Sequence, residues 1–273
     1  MSRFLRNLYL ALMVFLLSGP LVVVFGVSLN AKKRLFFPPD GISLRWYIEL
    51  LTKSEWLIPV KNSLIIASSA SLLALSVALP LGYFLWRYRV FYARALFVLG
   101  IAPFLLPPVI TALGFLTFWV TIGMYGNIVA TIVSHAIFFV TLPLVTISLG
   151  FESIDHEIVE AAETMGADWK YIFGSIVFPM IRPYLISGFA FSFVLSLNEY
   201  IVAYMVSGFT VETLPIKIFN ALRYGYTPVM ASVMIVFVAL AVIVFSLIGR
   251  FGDLPKLLGA LNPEQDTATK TTG

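Results

Sequence analysis

Cysteine is absent from this chain. That excludes a disulfide framework, a thiolate nucleophile and a Cys-ligated zinc site. Charge is scarce: Asp, Glu, Lys and Arg make up 12% of the residues, about half the share of a soluble domain. Histidine is nearly absent too. His135 and His156 stand alone, with no metal partner at ligand spacing. No glycine-rich loop ends in Gly-Lys-Ser/Thr, so the chain has no means of cradling a nucleotide in the P-loop manner. His-Glu-x-x-His and Gly-x-Ser-x-Gly are also missing, which leaves no paired catalytic constellation. The basic residues are scattered and the formal charge is only +4, so nucleic acid is not an expected partner. No internal repeat stands out. The reading is a protein that is not an enzyme and carries no cofactor or metal.

What the chain has in abundance is apolar surface. Hydrophobic residues make up 60% of it, which places it among multispanning membrane proteins. Arg3 and Arg6 precede an apolar run at 8–29. A signal peptide starts similarly, but its apolar core is about 7–15 residues long. Crossing a bilayer takes about 20 residues, so this run reads as a retained first span. A polar excursion follows at 30–61, with a turn at Pro38-Pro39-Asp40-Gly41. Leu44, Trp46, Tyr47, Leu50 and Leu51 suggest a short interfacial helix, packed on the membrane and open to an extracytoplasmic partner. Further spans are expected at 63–86, 95–119, 128–150, 184–206 and 229–250. Arg87, Arg89 and Arg94 form a tight basic loop after the second. Pro103, Pro107 and Pro108 interrupt the third, either to line a pathway or only for packing. The expected organisation is 1–60 as first helix plus loop, 61–250 as membrane core, and 251–273 as a disordered tail.

One stretch departs from this apolar background. Glu152, Asp155, Glu157, Glu160, Glu163 and Asp168 gather with His156 and Lys170 between the fourth and fifth spans. An island of such charge must stand in water. Ile154, Ile158, Ala161, Ala162 and Met165 recur at helical spacing. Gly166 suits a left-handed helix end. Asp168 suits the cap of a second helix beginning near Trp169, and Pro179 helps to stop it. Ala161 and Ala162 let another surface approach the backbone. Within the spans themselves, Glu199 and His135 are costly unless they face protein or water. Together with Asn198 and Tyr200 they form a candidate substrate pathway, in which a carboxylate would attract a cation. Trp119, Tyr200 and Tyr204 are aromatics that could stack on an ammonium group. The other reading of Glu199 is a contact between helices or to a partner subunit.

The island resembles the EAA loop of binding-protein-dependent ABC importer permeases: Glu-Ala-Ala, three residues, Gly, nine residues, Ile, one residue, Leu-Pro. Glu160, Ala161, Ala162, Gly166, Ile176 and Pro179 fit, and Phe178 replaces the leucine. Thr213-Leu214-Pro215-Ile216-Lys217 and the segment from Ser196 to Gly208 resemble the second permease subunit of spermidine/putrescine importers. The likeness covers nearly the whole chain. Polyamine permeases tend to carry Asp-Asp where this chain has Asn198-Glu199, which removes one acidic group. Permeases for iron, phosphonate and opine-like compounds share the layout.

The resemblance implies an all-α membrane protein of six transmembrane helices, with both termini cytoplasmic and a coupling helix between spans four and five. It implies a second permease subunit, two cytoplasmic ATPase subunits that bind the ATP, an extracytoplasmic solute-binding protein and a bacterial inner membrane. Charge bias alone decides little, since that topology puts ten basic residues inside against eight outside; orientation rests on the resemblance. The competing class is an ion-gradient secondary transporter, which usually shows paired inverted repeats.

Overall fold

The computed structural model describes residues 3–88, 90–225 and 227–251. The expected tail at 251–273 lies, beyond Phe251, outside them. In chain order the helices are α1 (Arg3–Ser28), α2 (Arg45–Thr52), α3 (Ser54–Tyr88), α4 (Phe91–Leu105), α5 (Pro108–Thr121), α6 (Ile128–Phe139) and α7 (Thr141–Glu152). They continue with α8 (His156–Thr164), α9 (Trp169–Ile172), a π-helical turn (Phe173–Val177), α10 (Phe178–Asn198), α11 (Ile201–Ser207), α12 (Leu214–Tyr224) and α13 (Val229–Phe251). Among the described residues the fold is all-helical apart from one isolated bridge, Asn30 to Ile42.

The chain divides into two compact units, residues 1–61 with 212–242 and residues 62–211 with 243–273. In the first, Trp46 and Trp56 are fully buried and pack with Leu50, Leu214, Val229, Met230 and Val233. Asn30 organises the loop before α2. Its Oδ1 accepts from Lys32 N at 3.0 Å and Asp40 N at 3.3 Å. Its carbonyl accepts from Trp46 Nε1 at 2.5 Å. Asp40 pairs with Arg34, and Gly41 turns the loop at φ 87°. Trp46 thus faces the core, while Leu51 on the opposite side of α2 is exposed. Most of α1 is exposed apolar surface, as a helix facing lipid requires.

The second unit is built on close packing of α7 against α10. Gly188 permits it, because a Cβ there would lie 2.7 Å from Pro143 Cα. Phe151, Ile147, Leu144, Ile172, Val177 and Ile181 fill the core around that contact. A second cluster joins Ala112 and Trp119 of α5, Ala130 and Phe138 of α6, and Val202 and Val206 of α11.

Among the described residues, four helices are long and apolar enough to cross a membrane: Arg3–Ser28, Ser54–Tyr88, Trp169–Asn198 and Val229–Ser246. Two bent pairs raise the number to six if each pair is one span. The α4–α5 pair turns by 108° and the α6–α7 pair by 44°. The expected third span at 95–119 is therefore not a single helix. Leu106 and Pro107 each precede a proline and are extended, with ψ of 150° and 131°. Pro107 cannot donate to Pro103 O, and Thr111 Oγ1 takes that carbonyl at 3.3 Å. In the α6–α7 bend, Pro143 frees Phe139 O, which accepts from Ser192 Oγ of α10 at 3.3 Å.

The helix that carries the expected span at 184–206 has different bounds. It begins at Trp169 and ends at Asn198. Pro179 does not stop the helix. It stands in the first turn of α10, directly after the π turn, in which Phe178 N donates to Phe173 O. The wider turn absorbs the missing amide hydrogen.

Candidate functional site

Two interruptions of the helices carry the polar chemistry, and one continuous helix joins them. The first is the acidic island. Asp155 caps α8 by accepting from Glu157 N at 2.9 Å. The helix ends on Gly166 at φ 82°, with Gly166 N bonded to Glu163 O at 3.0 Å and Ala167 N to Ala162 O at 3.1 Å. That pair of bonds is a Schellman ending. Asp168 then caps the next helix through Tyr171 N at 2.9 Å.

α8 has two apolar sides where the sequence suggested one. Val159 and Ala162 face the core with Ile154 and Ile172. Ile158, Met165, Ala161 and Glu160 point outward, with Met165 83% exposed. The stripe Ile158, Ala161, Met165 keeps i, i+3, i+7 spacing on the outer side. Gly166 and Pro179 are exposed and Ile176 is half-buried.

The inner end of α3 clamps this island. Trp86 lies parallel to His156, 5.6 Å between centroids and 9° between planes, and stacks on Phe151 at 5.5 Å. Arg87 pairs with Glu163 Oε1 at 3.0 Å and sits over the Trp169 ring at 4.7 Å. The pairing of these residues across α3 and the island was not anticipated from sequence. The signal was the Trp86-Arg87 pair closing the second span, because neither side chain is at ease in hydrocarbon.

The second interruption is buried. α10 ends at Asn198, Glu199 is extended, and α11 starts at Ile201. Glu199 Oε1 accepts from Val202 N and its Oε2 from Ala203 N, both at 2.9 Å. It is therefore the cap of α11. Oε2 also lies 3.4 Å from His135 Nε2, and the two side chains are only 8% and 1% exposed. His135 Nδ1 bonds Ser196 Oγ at 2.8 Å. A carboxylate this deep requires such partners. Asn198 is exposed and donates to Val194 O at 2.8 Å. Tyr200 is half-buried and stacks on Tyr204 at 5.5 Å. The structure thus brings His135 and Glu199 together and leaves Asn198 and Tyr200 beside them, less buried.

The family model described as the binding-protein-dependent transport system inner membrane component matches residues 70–253. The chain belongs to this family. Like its relatives, this inner membrane component is a transport subunit and a multi-pass protein of the inner membrane. It is 30% identical over 250 residues to the spermidine/putrescine transport system permease protein PotC of Haemophilus influenzae, covering 90% of this chain and 96% of the relative. It is 33% identical over 219 residues to the putrescine transport system permease protein PotI of Escherichia coli, covering 78% of each. A chain of a solved bacterial ABC transporter involved in import of the acidic polysaccharide alginate shares the fold, at TM-score 0.67 and 17% identity over 92% of this chain and 98% of that one. Within the permease, α9, the π turn and α10 form one 30-residue helix from the island to the buried break. At 1.5 Å per residue that helix is about 45 Å long.

Proposed function

We propose that this permease forms half of the translocation pathway of an ATP-driven importer for a polyamine-like solute. It is a permease subunit of a type I ABC importer. It works with a second permease, cytoplasmic ATPase subunits and a solute-binding protein. The finer reading is a six-span topology in which each bent helix pair makes one span, both termini are cytoplasmic and the permease pair is a heterodimer. In that topology α8 is the coupling helix, held between spans four and five.

The observation that carries the mechanism is the unbroken helix from Trp169 to Asn198. Its outer partner surface is the side of α8 that bears Glu160, Ala161, Ile158 and Met165. Ala161 allows close approach, Glu160 supplies a charged contact at the docking surface, and Gly166 makes the turn that aims α9. Ile176 and Pro179 lie where the π turn passes into α10. ATP binding closes the ATPase pair, α8 moves with it, and the helix carries the displacement to Glu199. A nucleotide biases the two states only through its different affinity for each.

The polyamine assignment is supported by the two relatives named for it, not by Glu199. Both oxygens of that carboxylate are occupied by Val202 N and Ala203 N. Glu199 and His135 are positioning residues for the break, and the less buried Asn198 and Tyr200 are the side chains assigned to meet a solute. Iron, phosphonate or opine-like cargo remains the alternative substrate class.

The test is uptake by the assembled importer in proteoliposomes. The expected result is entry of radiolabelled putrescine or spermidine that needs both ATP and the solute-binding protein. Uptake of another solute with no polyamine uptake would overturn the substrate assignment. Transport driven by an ion gradient alone would overturn the importer mechanism. Glu160→Ala is expected to abolish uptake while the complex still co-purifies.

A further inference from the structure

Helices α3, α4 and the bent α6–α7 pair line two cavities that follow one another along these elements. The first, of about 540 Å³, is walled by Trp86, Phe97, Arg94, Ser148, Glu152 and His156. The second, of about 700 Å³, is apolar, with Val77, Leu81, Leu99, Pro103, Val140 and Leu144 among its walls. The order is the same on α3, on α4 and along the α6–α7 pair. On α3 the polar cavity takes residues 82–86 and the apolar one 73–84. On α4 and Val90 just before it the ranges are 90–97 and 96–103, and along the α6–α7 pair they are 148–152 and 136–144. From 86 to 73 the helix rises about 20 Å. That is on the scale of one leaflet, whose hydrocarbon is about 15 Å deep.

The polar end is chemically unfinished. Arg94 has no ion pair among the described residues, unlike Arg87. Trp86 Nε1 and Ser148 Oγ are buried with no hydrogen-bond partner, a costly state for such groups. Arg94 offers a guanidinium that suits phosphate oxygens. Glu152, on the opposite wall, offers a carboxylate that suits an ammonium. Trp86 is the residue type preferred at the membrane–water boundary. The apolar end is open along exposed side chains such as Val77 and Leu99, so an alkyl chain can enter from the side.

We propose that α3, α4 and the α6–α7 pair hold one phospholipid, its phosphate against Arg94, its primary ammonium against Glu152 and one acyl chain in the apolar cavity. Clefts between membrane helices with a basic group at the boundary recognise head groups in this way. The proposal requires only that these helices span a membrane. It does not depend on which solute is carried or on what docks at α8. The lipid would brace α3 and α7, the two helices that hold the start of α8.

Native mass spectrometry of the purified importer complex tests this. The complex is delipidated and then given phosphatidylethanolamine, phosphatidylglycerol or inorganic phosphate. Expected is one retained phosphatidylethanolamine per permease, not displaced by inorganic phosphate. Arg94→Ala removes the phosphate contact, and Val77→Trp fills the apolar cavity. Each should lower retention about tenfold, the effect of losing one charge-assisted contact or its equivalent. Glu152→Gln should bring the two lipids to equal retention. Unchanged retention in both Arg94→Ala and Val77→Trp overturns the proposal. So does displacement by inorganic phosphate, which would mark a plain anion site. A Val77→Cys cross-link to the second permease subunit would show that protein covers the groove, and would also overturn it.

Discussion

Asp155 and Glu199 do the same chemical job in opposite surroundings. Each carboxylate accepts backbone N–H groups at a helix start, Asp155 for α8 in the exposed island and Glu199 for α11 in the core. Around Asp155, water can replace the side chain. Around Glu199 nothing can, because His135 and the N–H groups of α11 would be left bare inside the protein. One motif therefore gives an adjustable surface in the island that precedes the Trp169–Asn198 helix and a rigid joint just beyond the end of that helix. The lever proposed above needs that asymmetry: a face free to be gripped and a far end that moves as one piece.

The sharpest way to break the comparison is Glu199→Ala. Removing one partner of a buried charge pair typically costs about 3–5 kcal/mol. The folded yield and thermal midpoint should fall steeply, even in complexes never asked to transport. A near-neutral effect would mean the buried joint is no more rigid than the surface. Gly166→Ala is next. A side chain in the left-handed region costs about 1–2 kcal/mol. Nothing lies near a Cβ added there, so the cost is purely conformational. The expected outcome is a modest drop in midpoint with a larger loss of uptake, because α9 leaves α8 at a changed angle. Asp155→Ala should do least. Losing an exposed cap costs about 1 kcal/mol, and uptake should stay close to wild type. Should Asp155→Ala equal Glu199→Ala in either assay, the difference between wet and dry caps would be wrong.

The legibility of this molecule follows the range of the interactions concerned. The end of α8 and the start of α9 were readable because Gly166 and Asp168 act within three or four residues of themselves, whereas the Asp155 cap was not singled out. The turn around Gly41 was readable for the same reason. Trp46 was expected at the membrane interface and is instead buried in the core, because its partners Leu214, Val229 and Met230 lie far away in sequence. Hydropathy located the apolar segments but not their direction, since transfer into lipid is indifferent to a bend. Hence 95–119 looked like one span although Leu106 and Pro107 turn the chain between α4 and α5. Pro179 looked like a helix stop because the π turn before it has no local signature. Val177 and Ile181, on either side, are drawn into the core by Ile172 and Phe151. The role of Glu199 was hidden for a similar reason. Its cost in a span was evident, but its partner His135 is 64 positions away, and the amides it caps are free only because α10 ends at Asn198.

The most direct test of the lever uses the absence of cysteine. A single Ala161→Cys, placed in the assembled importer in native membranes, gives a unique thiol on the outer face of α8. The expected result is a cross-link to an ATPase subunit whose yield changes when ATP is added, with protection from impermeant thiol reagents applied outside the cell. Labelling from outside, with no ATPase cross-link in either nucleotide state, would contradict it.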